Sequence, residues 1–399
     1  MTDRRIDSTA DDPERPDTGG RTAVLALLTP PGLPARVTDT LAAALPELLA
    51  RDVDGRVGWR VEIVREPLAG GGQEEATILD VCHRRLRHEA WSFALCLTDL
   101  PIYRDEGLVV AEASVARRVA GISLPALGVF RPARRAREAV VGLVGELRAG
   151  RSPRDRAADG GGRNDPAGPP PRPAPGSVPV AERVSPTADG DVDVRFVALE
   201  PGGLPRLLGG MALANRPWRL VPAFRSAAAA SFGTALYALV NTSIWRLGEA
   251  FGWARLGALT VLSIAALVAW VVVAHELWEP ASGPAAQPLA RLYNAATALT
   301  VTAAVLAIYG GLFTLVSAAA LVFVPPGLLA DNLKHPVGVG DYAILGWLVT
   351  SLATAAGALG SGLDDKDRVR EAAYGYRQRQ RLARRRSREA GQPGGKGDE

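Results

Sequence analysis

The amino-acid sequence predicts a chain of two unlike parts, an α/β domain built on a mixed sheet and an all-α transmembrane bundle of about four helices. Three features of its 399 residues carry that prediction. Strand-like and helix-like segments alternate between residues 22 and 150. A Pro- and Gly-dense tract without hydrophobic periodicity fills 151–191. Long runs free of charge dominate 226–363. A chain of this length can hold two or three domains, each with its own core.

Residues 1–21 are polar, with no apolar core segment, and read as a disordered leader rather than a secretory signal peptide. TAVLALL (22–28) reads as a buried strand. PARVTDTLAAALPELLA (34–50) has helical spacing, with Leu41, Leu45, Leu48 and Leu49 on one side. WRVEIVRE (59–66) alternates as a second strand, and the Gly70-Gly71-Gly72 breaker leads into a helix over EEATILDVCHRRLRHEA (74–90). SFALCLTD (92–99) is a third strand, LVVAEAS (108–114) and VAGISLPAL (119–127) are two more, and Pro132 opens a last helix. The order β-α-β-α-β-β-β-α predicts a mixed sheet with helices packed on it, closing at residue 150.

The tract 151–191 reads as a disordered linker. As flexible coil, about 40 residues reach roughly 35 Å r.m.s., so the front domain is expected to move independently of the remainder. In the juxtamembrane segment 192–225, VDVRFVAL (192–199) reads as a short strand and LPRLLGGMALANRPWRLVP as a helical piece interrupted at Pro217.

Charge-free runs place membrane spans at about 226–245, 256–275, 295–324 and 342–363, each long enough to cross ~30 Å of hydrocarbon. The third is ambiguous, because Gly310-Gly311 could divide it into two. Four arginines (Arg206, Arg216, Arg219, Arg225) precede the first span, and nine arginines with one acid lie between Arg368 and Arg388. Positive charge favours the cytoplasmic side, so both ends are expected there, in a bacterial cell (inner) membrane, with an even number of spans. Arg246 and Arg255 then face outside, a minor conflict. Arg216, Trp218, Arg219 and Arg225 are the expected membrane-interface residues. In the basic tail 364–399, Arg379, Arg381, Arg384, Arg385 and Arg386 are expected to meet anionic lipid headgroups.

Composition narrows function. Only three lysines stand against 43 arginines, which fits a GC-rich bacterial gene more than a special chemistry. Cys82 and Cys96 have no CxxC spacing and fit a reduced compartment. Residues 22–149 carry 16 arginines and 16 acids, and a net charge of zero removes the footprint of a nucleic-acid binder. The spans contain no Asp, Glu, Lys or Arg, which disfavours a transporter. The spacings Ala229-x3-Gly233 and Ala353-x3-Gly357-x3-Ser361 fit close helix packing inside the bundle first and a dimer contact second. Trp245, Trp253, Trp270, Trp278 and Trp347 read as interfacial anchors, and His275-Glu276 belongs with that belt.

Three features could carry chemistry. Gly70–Gly72 before a helix lacks the phosphate-loop pattern, and Glu74 and Glu75 occupy the position a phosphate would need. His83 and His88 are spaced i, i+5, so their rings diverge by about 140°, unlike a zinc helix. Thr98-Asp99-Leu100-Pro101 with Glu112 and Ser114 would place carboxylates at strand ends, as metal ligands or an acid–base pair, with loop capping as the competing reading. Asp99 and Glu112 are the candidate catalytic residues. No cofactor or metal is implied.

CLTDLPIY, VVAEAS and VAGISLPALG followed by a helix resemble, over about 60 residues, the order of segments that precedes the catalytic helix in the archaemetzincin class of zinc peptidases. The decisive position here reads RPARRAREAVVGLVGELRAG, without HExxH, so the resemblance implies a fold and not a peptidase. Over most of its length, with NRPWRLV (Asn215 to Val221) and the TDLP and LPALG pieces, the chain is similar to a family of uncharacterised multi-span integral membrane proteins of GC-rich bacteria. That resemblance implies architecture and carries no activity. The expected function is a membrane-anchored sensing, scaffold or interaction protein with a protein partner, the lipid bilayer around it and self-association as a further option. A membrane-tethered enzyme or small-ligand domain with its site near Asp99 and Glu112 is the alternative, and a transporter comes third.

Overall fold

The computed structural model describes residues 22–66, 78–104, 106–149, 178–186, 192–199, 201–280, 287–361 and 369. The leader, the Gly70–Gly72 turn and the arginines of the tail lie outside these residues.

The α/β part is a mixed sheet of eight strands with helices on both faces, as its alternating pattern predicts. β1 (Thr22–Thr29) is flanked in parallel by β2 (Gly58–Arg65) and β3 (Phe93–Thr98), and β6 (Val119–Ser123) continues the parallel set beside β3. β5 (Gly107–Ser114) then pairs antiparallel with β6, with the short β4 (Ile102–Arg104) and with β8 (Val194–Ala198). β7 (Ala181–Val184) closes the edge against β8. The central strands are buried on both faces, so their continuous apolar runs are what parallel pairing requires.

α1 (Leu33–Ala42), α2 (Leu45–Asp52), the one-turn α4 (Leu124–Leu127) and α5 (Pro132–Ala149) share one buried cluster with one face of the sheet. α3 (Ile78–His88) covers the other face through Leu79, Cys82 and Leu86. Each fully buried leucine of β1, Leu25, Leu27 and Leu28, contributes about 2 kcal/mol by leaving water.

Several boundaries differ from the sequence reading. The helix expected over 34–50 is two, because Pro46 stands in the first turn of α2 and cannot donate into a continuous helix. The strand expected over 119–127 stops at Ser123, where Pro125 opens α4. Part of the tract read as linker is structured: β7 falls inside 151–191, and β8 lies after it in the same sheet. The front domain therefore does not end at residue 150. VPVAERV carries alternating apolar positions, and the edge of β5 supplies the unpaired backbone that β8 satisfies.

Three helices are long and apolar enough to cross a membrane, and four segments are if one bent pair counts as a single span. After α6 (Gly203–Asn215), a 3-10 turn at Pro217–Arg219 and α7 (Leu220–Ala223), the bent pair is α8 (Arg225–Leu239) and α9 (Thr242–Ala250), meeting at 91°. The single straight span expected over 226–245 is thus corrected. The 15 residues of α8 rise only about 22 Å. Asn241 ends them by accepting from Ser243 N at 3.0 Å and capping α9, while Trp245 Nε1 donates to the Leu239 carbonyl at 2.8 Å. α10 (Trp253–Ala274) and α13 (Val339–Ser361) match the second and fourth expected spans. α11 (Gln287–Phe323) is one unbroken helix of 37 residues, about 55 Å, so the third run holds a single helix long and apolar enough to cross a membrane. Gly310 and Gly311 face open space within it. Backbone that has no water to bond must satisfy itself, and the helix does so through the glycine pair. Pro325 and Pro326 stop it and start α12 (Pro326–Leu333).

α8 and α11 run in one direction, and α10 and α13 in the other. Phe224 and Ala227 at the start of α8 share a cluster with the end of α10 (Leu267, Val271), the middle of α11 (Val301, Ala304) and the end of α13 (Ala358). The end of α8 (Ala235, Leu239) meets later α11 (Leu312, Val316, Ala320) and the start of α13 (Tyr342, Leu345). Residues 224 and 358 accordingly lie at the same end of the bundle.

The outer surface of the bundle is apolar. Val261, Leu262, Val273 and Val322 are 67–77% exposed, while Thr300, Thr350, Ser351 and Ala353 are fully buried among the apolar side chains of the interior. Apolar side chains outward, with small and hydroxyl residues admitted at helix contacts, is the arrangement that lipid favours. Gly357 shows the packing: a Cβ there would come within 2.1 Å of Ser231 Oγ, while Gly233 faces open space.

Candidate functional site at the sheet edge and the membrane junction

The two carboxylates singled out by sequence occupy different places. Glu112 lies mid-sheet in a row with Cys96, Gly121 and Arg195, all on the face covered by α3. Both Glu112 and Arg195 are buried, at 0 and 2% exposure. Arg195 Nε stands 3.9 Å from Glu112 Oε2, and its Nη1 meets both oxygens of Glu106 at 2.6 and 2.7 Å. Arg104 Nη2 reaches Glu112 Oε1 at 3.4 Å. Two guanidinium groups and two carboxylates thus form one buried network that ties β4, β5 and β8 together. Its charges balance, which is what makes burying them tolerable.

Asp99 is three residues beyond Cys96, past the end of β3, and Glu112 is two strands away from Cys96. Standard strand spacings put the two Cα atoms roughly 14 Å apart. Ser114 pairs with Val119, the first residue of β6, and stands at the opposite end of the strands from Asp99. The expected constellation is therefore not assembled. Thr98 and Ser123 do cap the loop: Leu100 N donates to Thr98 Oγ1 at 3.1 Å, and Ser123 Oγ donates to the Leu100 carbonyl at 2.8 Å.

Asp99 still has a distinctive position. The β1–β2 crossover runs over one face of the sheet through α1 and α2, and the β2–β3 crossover runs over the other through α3. The carboxyl ends of β1 and β3 flank the point where the crossovers part, where open α/β sheets place their ligands. Thr29, Asp99 and the left-handed Gly32 (φ 121°) surround it. Among the described residues no three His, Cys, Asp or Glu side chains converge to hold a metal ion.

A second constellation joins the sheet domain to the membrane helices. α6 lies on α4 so closely that a Cβ on Gly210 would stand 2.1 Å from the Pro125 carbonyl oxygen, backbone against backbone. Leu207 and Met211 of α6 enter the domain's own core, together with Leu292, Tyr293 and Ala296 from the first turns of α11. Asn215 Nδ2 donates to Thr300 Oγ1 at 3.2 Å at the end of this seam. Asn294 pins the α10–α11 connection by bonding both the N–H (2.8 Å) and the carbonyl (3.0 Å) of Glu279.

The expected interface residues sit just past that seam. Arg216 takes a left-handed conformation (φ 56°), since proline at 217 disfavours the helical one, and the chain turns there. Trp218, 52% exposed, and the exposed Arg219 and Arg225 follow, while Leu220 and Phe224 are buried. His275 is buried, with Nδ1 3.1 Å from the Val271 carbonyl and its ring edge-on to Phe224. His335 pairs instead with Glu249 at 3.0 Å, at the other end of the bundle.

Sequence reasoning missed Arg195, Glu106 and the Gly210–Pro125 contact. A glycine pair inside the helical stretch LLGGMAL was the available signal, since glycine within a helix costs stability and usually marks a close approach. No protein-family model matches the chain, and neither a curated protein nor a solved structure is significantly similar to it.

Proposed function

We propose that the chain is a multi-pass protein of a bacterial inner membrane, with its α/β domain and both termini in the cytoplasm. It works there as a sensing or interaction protein whose cytosolic domain is mechanically tied to the bundle. One observation carries this reading: α11 runs without a break from the core of the α/β domain, at Leu292, Tyr293 and Ala296, to Phe323 at the remote end of the bundle. A rigid helix shared by two cores transmits displacement between them, as a tether cannot.

Sidedness follows from charge. Arg206, Arg216, Arg219 and Arg225 lie at the end of the bundle that carries the α/β domain, and the tail arginines follow α13 in the sequence. The tail, including Arg379, Arg381, Arg384, Arg385 and Arg386, is suited to anionic headgroups, and a protein partner or a second copy would read the state of the domain. A transporter is disfavoured by the absence of Asp, Glu, Lys and Arg from the apolar runs 226–245, 256–275, 295–324 and 342–363. A catalytic pair of Asp99 and Glu112 is disfavoured by their separation and by the arginines that hold Glu112. Asp99 alone keeps a position suited to a small ligand.

A reporter enzyme fused after Arg388 tests the topology. Activity of a cytoplasm-specific reporter is expected, and activity of a periplasm-specific one would overturn the four-crossing arrangement.

A further inference from the structure

α3 carries Asp80, His83, Arg84, Arg87 and His88 at i, i+3, i+4, i+7 and i+8, so these side chains fan over about 140° of helix surface. The buried face of Leu79, Cys82 and Leu86 points toward the sheet, away from this arc. Opposite the arc stands Arg117, from the turn between β5 and β6, its Nη1 2.7 Å from Asp80 Oδ1. Together the six residues line an open cleft of about 450 Å³.

We infer that this cleft binds a compact, multiply charged phosphate compound. Three arginines and two histidines face one carboxylate, and that carboxylate serves to fix Arg117 in place. Arg84 and Arg87 are exposed and make no ion pair among the described residues. His83 lines the cleft, and its Nδ1 is buried without a hydrogen-bond partner among them. Guanidinium forks converging from two elements match phosphate oxygens, and the volume is that of a small-molecule site. Among the described residues the lining holds no apolar side chain and no ring except the imidazoles, so it favours charge over a nucleobase or an acyl chain. The ligand is recognised by charge alone, as a diphosphate or a phosphorylated sugar would be.

Its source is soluble. The domain meets the membrane helices through α4, which follows the carboxyl end of β6, whereas Arg117 precedes the amino end of that strand. The cleft therefore opens at the end of the sheet away from the bundle, out of reach of the headgroups of its own bilayer. This site stands apart from the mechanical coupling proposed above and holds whether or not the domain signals.

Calorimetric titration of inorganic pyrophosphate into the full-length protein in neutral phosphatidylcholine nanodiscs tests the inference. Saturable 1:1 binding that weakens with salt is expected, and Arg84→Gln with Arg87→Gln should weaken it about tenfold or more. Both side chains are exposed, so the variant keeps the fold. Arg134→Gln, which removes one positive charge from the exposed Arg134–Glu138 pair of α5, should leave binding unchanged. Absence of saturable binding, or equal loss in the two variants, would overturn the site. Nanodiscs containing phosphatidylglycerol separate the sources: unchanged affinity is expected, and suppressed binding would mean that headgroups occupy the cleft.

Discussion

Glu112 and Arg195 show how burial decides what a charged side chain is for. Each is too deep to be left alone, and each stands against the opposite charge across β5 and β8. Arg195 keeps Glu106 when Glu112 is neutralised, so Glu112→Gln should cost about 1–3 kcal/mol of stability, seen as a lowered thermal midpoint of the full-length protein. Glu112→Gln combined with Arg195→Met should cost less than the sum of the two single changes; strict additivity would show that the pair is not coupled. His335 behaves differently because it is exposed. The Pro336 carbonyl that its Nδ1 meets raises its pKa above 6.5, with the Glu249 and Asp341 charges adding to the effect. A raised folded-state pKa means the contact stabilises fully below the unfolded value and is lost as pH rises through the folded one. An NMR titration should place His335 above 6.5, and Glu249→Gln should bring it down; an unchanged value would remove Glu249 from the account.

At the scale of elements, small residues set how closely helices approach. Gly357 receives α8 against α13, so Gly357→Leu should push the two helices apart and reduce the yield of folded protein extracted from membranes. Gly233→Leu, on the open face of α8, should be tolerated, and equal damage from both changes would contradict the packing. Elements of this kind were partly legible in the sequence. The strands at 22–28, 59–66 and 92–99 and the spans at 256–275 and 342–363 announce themselves by period or by absence of charge. The bend at Asn241 does not, because a capping asparagine inside an apolar run looks like any tolerated polar residue. β7 was hidden for another reason: four residues amid proline and glycine carry too little periodicity to be read, and only the open edge of the sheet gives them a place. The buried network was legible only in half. Glu112 is conspicuous beside Asp99, but its true partner Arg195 lies 83 positions away, and strand pairing across that distance leaves no local mark.

For the whole molecule, the central result is that the sheet domain and the bundle share a core. Sequence alone favours two bodies on a flexible tether, since the tract before residue 192 has the composition of one. The chain instead returns to the sheet through β8 and lies down on α4 through α6 before entering the apolar helices, and the first turns of α11 come back to the same core. The proposed sensing role requires such an attachment, through which a shift in one part reaches the other. Spin labels at Arg134→Cys on α5 and Val240→Cys at the α8–α9 bend, in a Cys82→Ala, Cys96→Ala background in nanodiscs, measure this directly by pulsed dipolar spectroscopy. A single narrow distance distribution is the result that a shared core predicts. A broad distribution spread over tens of ångströms, as a tethered domain would give, would contradict it.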